Sequence, residues 1–411
     1  MSKRALNPLD KAPVPPAPRR CDVLIIGAGA AGLSLALSLA GTGLDVRLVD
    51  RQTTDGLARP AYDGREIALS LRSIGILEAL NVWPRIAPED RSPLRSAKVF
   101  DGRWDAPLHF DPGPAGADKL GFFVANSTLR RALYQAYEQH GGRPVIGGVA
   151  VVDLAVGARG GRATLSTGVG IDADLIVSAD TRFSATRRMA GVAAESHAFN
   201  QTMIVSKVRF QDPHGQIALQ GFLPGGAMAV LPLNGGAASL VQTFAPAEAE
   251  RQMALETTAY LEAANMRLDQ RFGAITSVSE RFTYPIVATY AHKFVRPGFA
   301  LVGDAAVGMH PMAAHGFNLG VQGQSILASH IRRSIKAGRG PSDPRALRAY
   351  ERDHRQLSRG LYYSTLAIAE LYAKENAPAK FARRVLLDAG RIMSPARRRI
   401  LRGVTEPLQT M

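Results

Sequence analysis

Proline-rich residues 8–18 show neither helical nor strand periodicity. The chain then turns abruptly apolar at Val23-Leu24-Ile25-Ile26, which predicts a strand buried on both faces. Ala28 to Ala40 follow at helical density, and Val46-Arg47-Leu48-Val49-Asp50 reads as a second strand. Strand, glycine turn, helix, strand predicts a βαβ unit with a parallel pair. Leu71, Ile74, Leu77 and Leu80 place a helix over about 65–86, stopped at Trp83-Pro84. Residues 97–124 read as strands around a Gly/Pro-rich loop at 111–116. A helix spans about 127–140, with Leu129, Leu133 and Tyr137 on one stripe, and 145–178 read as short strands. Between 195 and 290 the period becomes two: 203–210 and 237–243 alternate between glycine turns, which predicts an antiparallel sheet interrupted by a helix at 248–264. Phe299-Ala300-Leu301-Val302 is again a buried strand, a helix follows at 318–336, and 343–403 is mostly helical.

Composition narrows the class. Of 411 residues, 46% are hydrophobic and 21% charged, ordinary globular values that exclude a disordered, collagenous or disulfide-stapled chain. The single cysteine, Cys21, excludes an internal disulfide, a cysteine zinc cluster and a dithiol pair, and suits a reducing cytoplasm. No uninterrupted apolar run has transmembrane length, and the proline-rich start has no secretory apolar region. The net charge of +15 is confined to the ends. Residues 1–20 hold five basic side chains and one acidic; residues 331–411 hold eighteen and seven; the stretch between is neutral. That argues against a nucleic-acid surface along the chain and leaves acidic partners or an anionic membrane surface as candidates for the basic ends.

The chemistry starts at Gly27-Ala28-Gly29-Ala30-Ala31-Gly32, a G-x-G-x-x-G between strand and helix. Its first glycine permits the turn, the second admits a pyrophosphate and the third allows close helix packing, while the helix start offers N–H donors. Asp50, eighteen residues beyond Gly32, ends the next strand, where an acid can accept from ribose hydroxyls; Arg51 adjoins it. A second pattern runs from Arg296 to Ala306 as a strand ending in Gly303-Asp304. Past Pro311, Gly316-Phe317-Asn318-Leu319-Gly320 opens a helix. A third is Val177-Ser178-Ala179-Asp180-Thr181-Arg182-Phe183-Ser184 with Arg187.

Together these resemble the fingerprints of the FAD-dependent aromatic hydroxylases, the class A flavoprotein monooxygenases, with Thr181 where the family's mid-chain motif has glycine. Asp63-Gly64-Arg65, Ala68-Leu69-Ser70 and His310-Pro311 place the nearest likeness among ubiquinone-biosynthesis hydroxylases. The resemblance implies an α/β fold, a Rossmann-like FAD-binding domain entwined with an antiparallel-sheet substrate domain and followed by a helical C-terminal segment. The expected boundaries are a flexible tail over 1–20, the FAD-binding domain over 21–84, 98–190 and 275–340, the substrate domain over 85–97 and 191–274, and the helical region over 341–411. It implies that Gly27, Gly29, Ala31, Gly32, Asp50, Arg51, Arg65, Asn126, Asp180, Gly303, Asp304, Pro311, Gly316, Phe317 and Asn318 hold FAD. Asp304 would take the ribityl chain, Arg65 the phosphate side, and the helix at Gly316 the N1/C2 edge of the ring. Asn126 serves either the cofactor or its own helix start.

Departures from the family cluster beside the expected flavin. Val307 stands where histidine is common, Ala314-His315-Gly316 replaces Gly-Gln-Gly, and Gly323 replaces an aspartate. His315 is the candidate catalytic residue, an acid–base group or else a helix-start histidine bonded to backbone. His310 would orient the loop. The remaining histidines lack metal-ligand spacing, and no second dinucleotide motif or G-x-S-x-G occurs. The reaction implied is hydroxylation of an aromatic ring of a polyprenylated quinone precursor through a flavin C4a-hydroperoxide, with NAD(P)H as transient electron donor. A flavin reductase of a prenylated substrate, or a non-catalytic flavoprotein partner, are the alternatives. The protein would be cytoplasmic, or peripheral at the inner membrane face through a stripe of Phe381, Val385, Ala389 and Ile392 flanked by Lys380, Arg383, Arg384, Arg391 and Arg397-Arg398-Arg399.

Overall fold

The computed structural model describes residues 20–101, 103–112, 118–223, 226–269 and 271–373. Residues 1–19 of the expected tail over 1–20, and the basic stripe after 373, lie outside them; Arg20 opens the first strand.

The first sheet is parallel at its centre. Arg20–Ile26 pairs with Val46–Val49 on one side and Gly170–Ser178 on the other, and Phe299–Leu301 pairs with the far edge of Gly170–Ser178. Val23, Leu24, Ile25, Leu175, Ile176, Val177, Phe299, Ala300 and Leu301 are fully buried, as expected of strands covered on both faces. Registers align Ile26 with Ser178 and Ser178 with Leu301, so three strands drawn from 26, 178 and 301 end at one edge. In an open parallel sheet that edge is where ligands bind. Gly27, Ala179-Asp180 and Gly303-Asp304 all follow from it. Helices Ala30–Leu39 and Gly316–Lys336 cover this edge, and Gly303, at φ +61°, lets them meet. A Cβ at Gly303 would lie 2.8 Å from the Ala31 Cβ.

The second sheet has eight strands in the order Val307–Gly308, Ile275–Ala291, Ala194–Phe210, Ala237–Phe244, Gly226–Pro232, Ile217–Leu223, Ser96–Asp101 and Arg103–Phe110. One face buries Val208, Val230 and Leu240 with Ala264 and Leu268 of helix Thr257–Leu268. The opposite face looks toward the first sheet's ligand edge. Among the described residues no helix is long and apolar enough to cross a membrane.

Ser96–Asp101, which straddles the expected boundary at 98, Arg103–Phe110 and Ile275–Ala291 all lie in the second sheet. Apolar runs reveal that a strand exists; which sheet it joins depends on pairing with distant segments. The expected helix over 65–86 is strand Glu66–Ser70 followed by helix Leu71–Ala79, because the Ser70 hydroxyl accepts from the Ser73 N–H (3.2 Å) and caps the helix there. The helix over 248–264 is two, Pro246–Ala254 and Thr257–Leu268, separated by extended Leu255 and Glu256.

Candidate active site

Between the parallel edge and the second sheet lies a cavity of about 620 Å³. Its first wall carries the fingerprints: Arg65, Asn126, Asp304, Pro311, Gly316 and Phe317. Its second is the alternating face of the antiparallel sheet, where Met203, Val205, Val241 and Thr243 point inward at period two. The long helix Pro344–Ala373 ends against this face, with Tyr372 stacked on Phe222 at 3.6 Å between ring centroids.

The dinucleotide turn is built as its glycines require. Gly27 has φ +108°, and a Cβ there would come 2.5 Å from the Ala179 carbonyl oxygen. A Cβ at Gly32 would come 1.9 Å from the Gly27 oxygen, whereas one at Gly29 would meet nothing within 4 Å. Gly29 therefore faces open space at the start of helix Ala30–Leu39, which no side chain caps. Uncapped N–H donors beside such space fit an anionic diphosphate. Asp50 accepts from the Ala28 N–H (2.6 Å) and the Gln52 N–H (2.7 Å), so it braces this turn and keeps lone pairs for a ribose. Arg51, the next residue, is exposed.

Arg65 is anchored by Asp63, its Nε donating at 2.9 Å, and lies 5.3 Å from the Tyr284 ring centre. Asn126 does not cap its helix. Its Nδ2 donates to the same Asp63 carboxylate at 2.8 Å, which ties Arg65 and Asn126 into one unit on the cavity wall. The Arg65 guanidinium and the Asn126 amide hold the Asp63 carboxyl below the usual carboxylate range despite its burial. On the opposite flank Arg182 donates to Asp304 (3.2 Å) and to the Val287 carbonyl (2.9 Å).

Other expected contacts turn inward. Asp180 accepts from the Ser178 and Thr186 hydroxyls, and buried Arg187 donates to the Ala305 carbonyl, so this motif braces the loop bearing Asp304. Asn318 accepts from the Ser70 N–H and donates to the Ala68 and Ala314 carbonyls. It pins the helix start to strand Glu66–Ser70 and is absent from the cavity wall. His310 caps the turn at Pro311, its Nδ1 accepting from the Met312 N–H at 3.1 Å. Burial, with His197 and Arg182 nearby, pushes its pKa down to about 4, so it is neutral at neutral pH. Ala314 and Gly316 line the cavity but His315 between them does not. Val307 is buried against Tyr290 in the second sheet and likewise stays off the wall. The space of the aspartate missing at Gly323 is filled: a Cβ there would come 2.5 Å from the His354 ring.

Sequence reasoning missed Glu66, Arg182 and the sheet residues. The alternation at 203–205 and 241–243 was the available signal for the last; nothing local marks which face turns toward the cofactor edge.

A parallel nucleotide sheet, an open glycine turn and an aspartate on a cavity wall define a flavin-dinucleotide protein. The family described as FAD binding domain matches residues 20–364, and the chain belongs to it. It is 35% identical over 389 residues to the ubiquinone hydroxylase UbiM of Neisseria meningitidis, covering 93% of this chain and 84% of that protein. It is 32% identical to the ubiquinone hydroxylase UbiL of Rhodospirillum rubrum, over 93% of this chain and 88% of that protein. Among solved structures, PqsL of Pseudomonas aeruginosa, titled a probable FAD-dependent monooxygenase, shares the fold (TM-score 0.72, 22% identity, 88% of this chain and 98% of that one). FAD is the cofactor these matches support, and the open space at Gly29 and the polar flank of Arg65, Asn126 and Asp304 fit it.

Proposed function

We propose that the protein is an FAD-dependent monooxygenase that hydroxylates an aromatic ring of a polyprenylated quinone precursor, using O2 and electrons from NAD(P)H. The observation that carries this reading is the cavity: one wall bears the flavin fingerprints, the other is a largely apolar face able to take a ring with an isoprenoid tail. Bound FAD supplies the activation of oxygen. The chain's own residues do the rest. Gly29 and the start of helix Ala30–Leu39 receive the diphosphate, and Asp50 the adenosine ribose beside Arg51. Arg65, Asn126 and Asp304 flank the flavin, with Pro311, Gly316 and Phe317 at its ring. Met203, Val205, Phe222 and Val241 exclude water and orient the substrate, which protects a reactive oxygen species from wasteful decay. Asp180 and Asn318 act as braces. His315, off the wall, has no part in this reading.

The test is oxygen incorporation. With a short-chain prenylated phenol, NAD(P)H and 18O2, the purified holoenzyme is expected to yield a dihydroxylated ring product carrying one labelled oxygen. NAD(P)H oxidation coupled to substrate reduction, without label, would establish the reductase alternative.

A cytoplasmic enzyme drawing so apolar a substrate needs access to a membrane, and the excess charge of residues 331–411 suits reversible attachment to anionic lipid at about 1 kcal/mol per basic residue. Changing Arg397, Arg398, Arg399 and Arg402 together to glutamine should weaken sedimentation with anionic vesicles; equal binding to neutral vesicles would refute this.

A further inference from the structure

Hydroxylation of a phenol runs faster on the phenolate, so the cavity needs a group that takes the hydroxyl proton and a path that removes it. The wall holds two carboxylates. Asp304 is engaged by Arg182, and His310 has its Nδ1 committed to the Met312 N–H. Glu66 differs. It opens strand Glu66–Ser70, paired to Ala125 beside Asn126, and has no ion-pair partner among the described residues. Its carboxyl lies beside Tyr62, a residue 41% exposed. Glu66 thus stands between the cavity and a phenol that reaches solvent.

We propose that Glu66 is the acid–base residue of the cavity, accepting the hydroxyl proton of the phenolic substrate and releasing it to solvent through Tyr62. The substrate O–H bond breaks, the proton joins the Glu66 carboxylate, and the phenolate keeps the electron pair. The protonated carboxyl then donates to the Tyr62 oxygen while the Tyr62 hydrogen leaves to water, which restores the carboxylate. Charge and protons balance without a further reagent. This rests on the hydroxylase reading above.

The surroundings suit the task. Burial raises the Glu66 pKa to about 7; Lys207 on strand Ala194–Phe210 pulls it down, Asp63 and Asp90 push it up, and the neighbouring Tyr62 hydroxyl lowers it. Tyr62 itself is pushed up to about 12, chiefly by burial and by Glu66, so it remains a hydrogen-bond donor. A base whose pKa lies near the working pH transfers protons most effectively in both directions.

The experiment uses FAD-loaded full-length protein with Glu66→Gln and Glu66→Asp, and FAD content and melting temperature to confirm folding. With a short-chain prenylated phenol, wild-type kcat/KM is expected to rise about tenfold per pH unit below 7 and then level off. Glu66→Gln should lose that step and fall about a hundredfold or more at pH 8, the range of a general base; Glu66→Asp should retain the step. Independently of turnover, the ionisation of a bound prenylated nitrophenol, read by absorbance, should shift by at least one pH unit between wild type and Glu66→Gln. An unchanged pH profile and an unshifted bound phenol would overturn the proposal. A wild type that binds the nitrophenol yet oxygenates no phenol would refute the hydroxylase reading, while the absorbance titration still decides the role of Glu66.

Discussion

Gly29→Ala and Gly32→Ala, three residues apart in one turn, are expected to fail in opposite ways. At Gly29 the backbone is extended (φ −75°, ψ −172°), a conformation open to any residue, and the added methyl meets nothing within 4 Å. Stability of the FAD-free protein should therefore change by less than about 0.5 kcal/mol, as for a substitution away from packed contacts. The same methyl occupies the space through which a diphosphate reaches the uncapped N–H groups. Losing two charge-assisted hydrogen bonds at about 1.5–3 kcal/mol each weakens FAD by roughly a hundred- to ten-thousandfold. At Gly32 the methyl would sit 1.9 Å from the Gly27 carbonyl oxygen, well inside contact distance. The helix and the turn must separate, which costs about 1–3 kcal/mol or more before any ligand is added. The assays are urea denaturation of both FAD-free variants and FAD titration by fluorescence quenching. A Gly29→Ala protein with wild-type FAD affinity, or one as destabilised as Gly32→Ala, would refute the reasoning.

Gly323→Ala should cost about 1–3 kcal/mol because its methyl strikes the buried His354 ring, and His354→Ala should relieve most of that; additive losses in a double-mutant cycle would contradict the contact. Ala314 sits at φ +51°, where the resembling family has glycine, so Ala314→Gly should stabilise the fold by up to about 1 kcal/mol, read as a higher urea midpoint. His310 and His354 are both pushed down to about 4, chiefly by burial, whereas unfolded histidines titrate near 6.5. Between those values the unfolded chain gains protons the folded chain refuses, so these two groups lower stability as pH falls through that window. Glu66, raised to about 7, acts with the opposite sign, its contribution lost as pH rises from about 4.5 to 7. Glu66→Gln should therefore steepen the decline of the urea midpoint between pH 6.5 and 4.5; an unaltered slope would show that Glu66 is not raised.

The sequence by itself determined the cofactor edge. Gly27, Gly29 and Gly32 report backbone conformation and close approach, and such requirements are local, so a single strand–turn–helix segment displays them. The apolar runs at 23–26, 175–177 and 299–302 were legible as buried strands for the same reason. Only the tertiary structure decided what those segments face. Ile275–Ala291 reads as a strand in any context, but its place beside Ala194–Phe210 comes from a register formed across the 64 residues between the two strands. The loss of an aspartate at Gly323 looked like a change in the chemistry of the site; it is a packing exchange with His354, thirty-one positions later, on another helix. Asp180 and Asn318, expected at the cofactor, have hydrogen-bond partners within the protein that the sequence did not reveal, because a polar side chain's partner is chosen by whichever donors and acceptors the fold brings within about 3 Å. Glu66 carries no motif at all. Its raised pKa exists only because folding buries the carboxyl beside Asp63 and Asp90 and brings Lys207, from the eight-stranded sheet, near enough to offset only part of the cost.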